Sequence, residues 1–152
     1  LQEMGWLTGK LPRMVAVQAT GCAPIVKAYE EGTEHAELWE NAHTVAAGIR
    51  VPVAVGDFLI LRAVRESDGF ATAVEDDAII AAGKEVAEQE GFLMCPEGAA
   101  TYAAYKQEIT SGRVSPDETA VLFNCASGLK YPLAPVEQSI DCTQPVDYSQ
   151  FD

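Results

Sequence analysis

The stretch Asn124 to Lys130, reading Asn-Cys-Ala-Ser-Gly-Leu-Lys, gathers an amide, a thiol, a hydroxyl and flexible backbone within seven residues. Such a set can bind a polar ligand through side chains and backbone together. It can equally be a strand-to-loop turn that uses Asn and Gly for their backbone tolerance. A second group, Pro96-Glu97-Gly98-Ala99-Ala100, puts a carboxylate at a helix start, where it complements the helix dipole. No chemical role is assigned to Glu97 on that reading. A third, Asn41 to Arg50, contains Thr44, Ala46, Ala47 and Gly48. Residues this small either let backbone approach a flat ligand or simply pack tightly. Cys22, Cys95, Cys125 and Cys142 form no C-x-x-C pair, so a zinc ribbon or a thioredoxin-like motif has no support. His35 and His43 would need Glu34, Glu37 or Glu40 to hold a metal, and they read as surface histidines. No metal site is expected. Neither G-x-G-x-x-G nor a Walker sequence occurs, and no Ser-His-Asp order stands out.

These groups need elements to position them. Met14 to Gln18 is short, apolar and β-branched, which predicts a buried strand. Pro24 suits the first turn of a helix that runs to about Glu31 and stops at Gly32. Thr44 to Val55 reads as buried but too broken by Gly and Pro for a regular element. Asp57 is the expected N-cap of a helix over Phe58 to Ser67, whose apolar residues lie almost all round and call for cover on every side. A strand over Gly69 to Val74 is followed by a helix opened by Glu75, Asp76 and Asp77 and closed by Gly91. Pro96 opens another helix, faced by Ala99, Ala100, Ala103 and Ala104 and ended by Gly112. Thr119 to Phe123 reads as one more strand. Alternation of this kind predicts an α/β fold: a partial parallel sheet with flanking helices. In such sheets ligands bind at the carboxyl ends of strands, which is where Asn124 to Lys130 falls. Residues 1–131 are expected to be domain and 132–152, with Pro132, Pro135, Pro145 and several aspartates, an extended acidic tail.

Composition narrows the partners. The 152 residues are 48% apolar, with 23 acidic against 10 basic side chains and a net charge of −13. That balance argues against a phosphate backbone of DNA or RNA, whose binding releases counterions through Lys and Arg. It argues equally against an anionic membrane surface. No stretch approaches the ~18 apolar residues of a membrane helix. With no charged start followed by an apolar core, the expected setting is cytoplasmic, with reduced thiols.

Taken in order, several stretches resemble threonine synthase, a pyridoxal-phosphate enzyme of fold type II. They are Lys10 to Ala19, Gly21 to Ile25, Thr44 to Pro52, Gly56 to Arg62, Cys95 to Ala100 and Val121 to Tyr131. The resemblance runs to about Tyr131 and implies the C-terminal part of the family's cofactor domain. The family's reaction turns O-phospho-L-homoserine and water into L-threonine and phosphate, a lyase step of amino-acid biosynthesis. Its Schiff-base lysine and Gly-rich phosphate loop have no counterpart here: Lys10, Lys27, Lys84, Lys106 and Lys130 all lie outside the family's lysine motif. The chain alone is therefore expected to be inactive. The resemblance further implies that Cys125 faces the pyridine nitrogen, where many relatives carry Thr, with Asn124 and Ser127 in the same loop. It also implies that Thr44 to Gly48, including Ala46, lines one side of the cofactor. Cys could act there as a neutral thiol or as a thiolate facing a pyridinium. Alternatives within the fold are a threonine dehydratase or a cysteate synthase; a non-catalytic binding module is a third reading. The apolar Phe58 to Ser67 helix further predicts self-association.

Overall fold

The computed structural model describes residues 1–132, 140–141 and 143–151. Residues 133–139, 142 and 152, including Pro135, Cys142 and Asp152 of the expected tail, lie outside the described residues. Two strands, β1 (Val15–Ala19) and β2 (Phe70–Val74), pair in parallel with Val15 opposite Phe70 and Ala19 opposite Val74. Between them come α1 (Pro24–Glu31) and α2 (Asp57–Glu66). After β2 follow α3 (Asp76–Glu90) and α4 (Pro96–Thr110). The α/β class with a small parallel sheet stands as the sequence predicts.

The helix ends follow local chemistry. Gly32 and Gly91 close α1 and α3 with φ of 72° and 68°, a left-handed conformation that costs glycine no Cβ clash. The start of α1 has no side-chain cap of its own, because Ala23 occupies that position. Buried Gln18 on β1 supplies the acceptor instead: its Oε1 takes the Ile25 and Val26 N–H groups at 2.9 and 3.1 Å. Sheet and helix are thus joined by satisfying donors that a helix start always leaves open.

The main core lies where α3 and α4 meet the ends of the strands. Ala19, Val74, Ile79, Ala82, Ala99, Ala100, Ala103 and Ala104 form one buried cluster, and Ala46 from the α1–α2 connection joins it. The alanines carry little volume, so the α3–α4 contact is close; a Cβ added at Gly83 would sit 3.5 Å from that of Ala99. Buried Glu108 ties α4 to β2 by accepting the Thr72 hydroxyl at 2.6 Å, and Arg113 pairs with it at 3.3 Å. A second cluster (Ile25, Ala28, Leu61) seats α2 on α1.

Five expectations change. The strand from Met14 to Gln18 is not buried throughout: Met14 and Val15 are exposed, and only Gln18 and Ala19 of β1 are buried. Gly56, not Asp57, holds the N-cap position of α2. Asp57 begins the helix and its carboxylate accepts the Ala36 and Phe58 amides, so it caps while also fastening the preceding loop. Thr44 to Val55 is buried only at Thr44 and Ala46, whereas Val53 and Val55 are exposed. Around α2, Leu61 and Val64 are buried but Phe58, Leu59 and Ile60 are not covered. Thr119 to Phe123 forms no strand. A strand needs a partner for its backbone groups, and β1 and β2 pair only with each other among the described residues.

Candidate functional site

Two connections and one helix start converge beyond the carboxyl ends of β1 and β2. The first connection carries Thr44 and Ala46. The Thr44 hydroxyl donates to Asp76 Oδ1 at 2.5 Å, and the Val45 amide donates to Asp76 Oδ2 at 3.0 Å. Asp76 is the first residue of α3, so this connection is pinned to a helix that starts directly after β2. Thr44 Oγ1 also accepts the Ala46 amide at 3.1 Å, which shapes the turn leading into a single 3-10 turn at Ala47–Ile49. Ala46 is fully buried in the α3–α4 core.

The second connection runs from Asn124 to Tyr131. Buried Cys95 occupies the N-cap of α4, and its Sγ accepts the Gly98 amide at 3.3 Å. Asn124 Oδ1 receives both the Cys95 amide, at 3.3 Å, and the Cys95 thiol, at 3.4 Å. Backbone contacts extend the attachment: Cys95 N–H reaches Ala126 O at 3.3 Å and Gly128 N–H reaches Leu93 O at 3.0 Å. Ser127 Oγ accepts the Leu129 amide at 3.2 Å and so caps the 3-10 turn Gly128–Lys130. Cys125 is exposed, with its sulfur 4.0 Å from that of Cys95.

Glu97 joins the two connections. It sits in the first turn of α4 and is 7% exposed. One carboxylate oxygen accepts the Gly48 amide at 2.6 Å and the other accepts the Tyr131 hydroxyl at 2.7 Å. Burial pushes this carboxyl's pKa up, but hydrogen bonds from the Tyr131 hydroxyl, its own amide, the Gly48 amide and Cys95 outweigh that and hold it below the ordinary value. The same contact, with burial, pushes the Tyr131 pKa up to about 12. Two glycines make the approach possible. A Cβ on Gly48 would fall 2.7 Å from Glu97 Oε1, and one on Gly98 would fall 2.3 Å from Asn124 Oδ1.

The structure therefore brings Asn124, Cys125 and Ser127 onto one loop and Thr44 and Ala46 onto another, with α4 between. Glu97, which reads in the sequence as a helix-start charge without further role, is the link. No spacing in the sequence signals this, because its two partners lie 49 and 34 residues away. The thiol of Cys125 is raised above its usual pKa, by the Cys95 hydrogen bond and charge first and by desolvation next. At neutral pH it is a neutral S–H group able to donate. His35 contacts Asp57 at 3.2 Å, and no cluster of metal-binding side chains occurs among the described residues.

Residues 1–126 match the family described as pyridoxal-phosphate dependent enzyme. The chain is 37% identical over 139 residues to a threonine synthase of Methanosarcina acetivorans, covering 91% of this chain and 34% of that protein. A threonine synthase of Methanocaldococcus jannaschii is 33% identical over 137 residues, covering 90% and 34%. One from Mycobacterium tuberculosis is 35% identical over 126 residues, covering 83% and 33%. The chain thus spans about a third of the length of these relatives. Among solved structures, a threonine deaminase from T.th. superposes with a TM-score of 0.54 at 21% identity, over 64% of this chain and 35% of that one. Maize serine racemase gives 0.51 at 23% identity, over 60% and 27%.

Proposed function

Because this chain belongs to the pyridoxal-phosphate-dependent enzyme family, whose cofactor is pyridoxal phosphate, we propose that it is the C-terminal part of a threonine synthase. Identity of 33–37% to threonine synthases over most of this chain carries the reading. The parent would convert O-phospho-L-homoserine and water to L-threonine and phosphate in the cytoplasm. No helix among the described residues is long and apolar enough to cross a membrane. Residues 1–131 would be the cofactor-domain portion and 132–152 a tail.

The residues present suit one edge of the cofactor. Cys125 is exposed and protonated at neutral pH, so its S–H can donate weakly to a pyridine nitrogen without forcing a proton onto it. Asn124 and Ser127 hold the backbone on either side of that thiol. Thr44 and Ala46 fix the opposite connection, and Glu97 sets the spacing between the two. When bound, pyridoxal phosphate supplies the electron sink, and the protein supplies orientation and proton placement. The lysine and the phosphate cradle would come from the remainder of the parent.

The decisive experiment assays the full-length gene product with pyridoxal phosphate and O-phosphohomoserine, following phosphate and threonine together. Equal release of both supports the proposal. Ammonia and a 2-oxo acid from threonine, with no phosphate released, would replace it with a dehydratase. The 152-residue chain assayed alone is expected to form no threonine.

A further inference from the structure

The sulfurs of Cys95 and Cys125 lie 4.0 Å apart although 30 positions separate them in sequence. They have opposite surroundings: Cys95 is fully buried and Cys125 is exposed. The third described cysteine, Cys22, is buried in the α1 region and is not paired with either. We propose that Cys95 and Cys125 form a reversible disulfide, with Cys125 as the sulfur that reacts first with an oxidant from solvent and Cys95 as the one that resolves it. The proposal concerns the 152-residue chain, in which Cys125 is exposed, and does not depend on the identity of the substrate.

The geometry favours the pair on three counts. Both backbones are already fixed against each other, since Cys95 N–H donates to Ala126 O and Met94 bridges Ser127. A disulfide needs the sulfurs at about 2.05 Å, so side-chain rotation must close roughly 2 Å without remaking the chain path. Only one sulfur is open to a bulky reagent, which sets the order of events. A small-molecule disulfide is the oxidant. The Cys125 thiolate attacks one of its sulfurs and releases one thiol, leaving a mixed disulfide on Cys125. Cys95 then attacks the Cys125 sulfur and releases the second thiol. Two protein thiols lose two protons and two electrons, and the reagent gains them. The Cys125 thiol is held above its usual pKa by Cys95, and Glu97 adds to the effect. Exchange is therefore slow near neutrality and quickens as alkali raises the thiolate fraction.

The bond has consequences where it forms. Cys95 Sγ now caps α4 by accepting the Gly98 amide and donates to Asn124. Oxidation removes that S–H donor and turns the sulfur toward Cys125, so the cap of α4 and the seat of Asn124 are both altered. The S–H of Cys125 is lost in the same step.

The test incubates the 152-residue protein with oxidised glutathione and counts thiols after denaturation. Peptide mapping without reduction then shows which cysteines are linked. Expected are a fall from four titratable thiols to two, a mass lower by two hydrogens, and a Cys95–Cys125 peptide that dithiothreitol separates. Cys125→Ser, at an exposed position, should abolish the link, whereas Cys142→Ser should leave it intact. A Cys125–Cys142 peptide, a linked dimer through Cys125, or four thiols remaining at equilibrium would each overturn the proposal. Far-UV circular dichroism of both variants separates loss of the bond from loss of the fold.

Discussion

Two regions of this molecule differ in whether their side chains find partners. At the start of α4, Glu97 satisfies a backbone amide from one connection and a tyrosine hydroxyl from another. A few turns of chain later, Val121 and Phe123 leave 82% and 77% of their surface open. The first region is complete in itself, because each polar group it buries finds its partner within this chain. The second holds apolar residues suited to a strand, but no strand pairs with them among the described residues, and Val121 and Phe123 stay largely exposed. A site's internal geometry can therefore be encoded by a short stretch of chain, while a strand beside it forms only where a partner strand is present.

The largest effect is expected where the link itself is removed. Glu97→Ala leaves the Gly48 amide and the Tyr131 hydroxyl without their acceptor. Gly48 is exposed and Tyr131 half-buried, so water replaces part of the lost acceptor. At about 0.5–1.5 kcal/mol for each of the two hydrogen bonds, the variant should lose about 1–3 kcal/mol in urea unfolding. Glu97→Gln keeps the shape and one acceptor and should lose about half as much. A loss within experimental error for Glu97→Ala would mean the two connections hold without it. The link should also show in its pH limits. The Glu97 pKa is lowered in the folded state. Its contribution is therefore present above the ordinary carboxylate range and is lost as pH falls through the folded value. The Tyr131 pKa is raised to about 12, so its contribution is present below the ordinary tyrosine value and fades as pH rises through about 12. Tyr131→Phe should remove one late-titrating phenol from the near-ultraviolet absorbance titration.

A second comparison sets two glycines against each other. Both lie within helices, where Ala is favoured over Gly by about 0.5–1 kcal/mol. At Gly83 the added Cβ meets only Ala99 Cβ at 3.5 Å, an ordinary contact, so Gly83→Ala should be neutral or stabilising by up to about 1 kcal/mol. At Gly98 it falls 2.3 Å from Asn124 Oδ1. The clash outweighs the propensity there, and Gly98→Ala should cost about 1–2 kcal/mol as the Asn124 loop is displaced. Equal effects at the two positions would show that Asn124 is not held tightly against α4.

How legible each part is follows the range of the interactions that make it. The helices are readable because their stops are local: Gly32, Gly91 and Pro96 fix their own boundaries. β1 and β2 are readable as short apolar runs. Thr119 to Phe123 has the same composition and forms no strand, because composition does not report whether a partner is present. Within the site, the loop Asn124 to Lys130 can be found from its side chains and its expected place after a strand. Gln18 as a remote cap and Glu97 as a link cannot, because each depends on a partner brought near by the fold. Asp57 is recognisable as a cap, but the sequence sets it one residue outside the helix, and its carboxylate also fastens Ala36.

The smallest effect on folding should come from the uncovered region, and that makes it the sharper probe of what the region is for. Phe123 is 77% exposed, so Phe123→Ser should change the unfolding free energy by no more than about 0.5 kcal/mol. With Val121 and Leu122 it nonetheless forms a run of exposed apolar residues, and such surface drives association. The wild-type chain is expected to sediment as a concentration-dependent oligomer and to bind a hydrophobic dye. Phe123→Ser combined with Val121→Ser should shift it toward monomer and lower the dye signal, with stability unchanged. A wild-type chain that sediments as a monomer without dye binding would mean that this apolar run is no contact surface, and the contrast with Glu97 would then rest on hydrogen bonding alone.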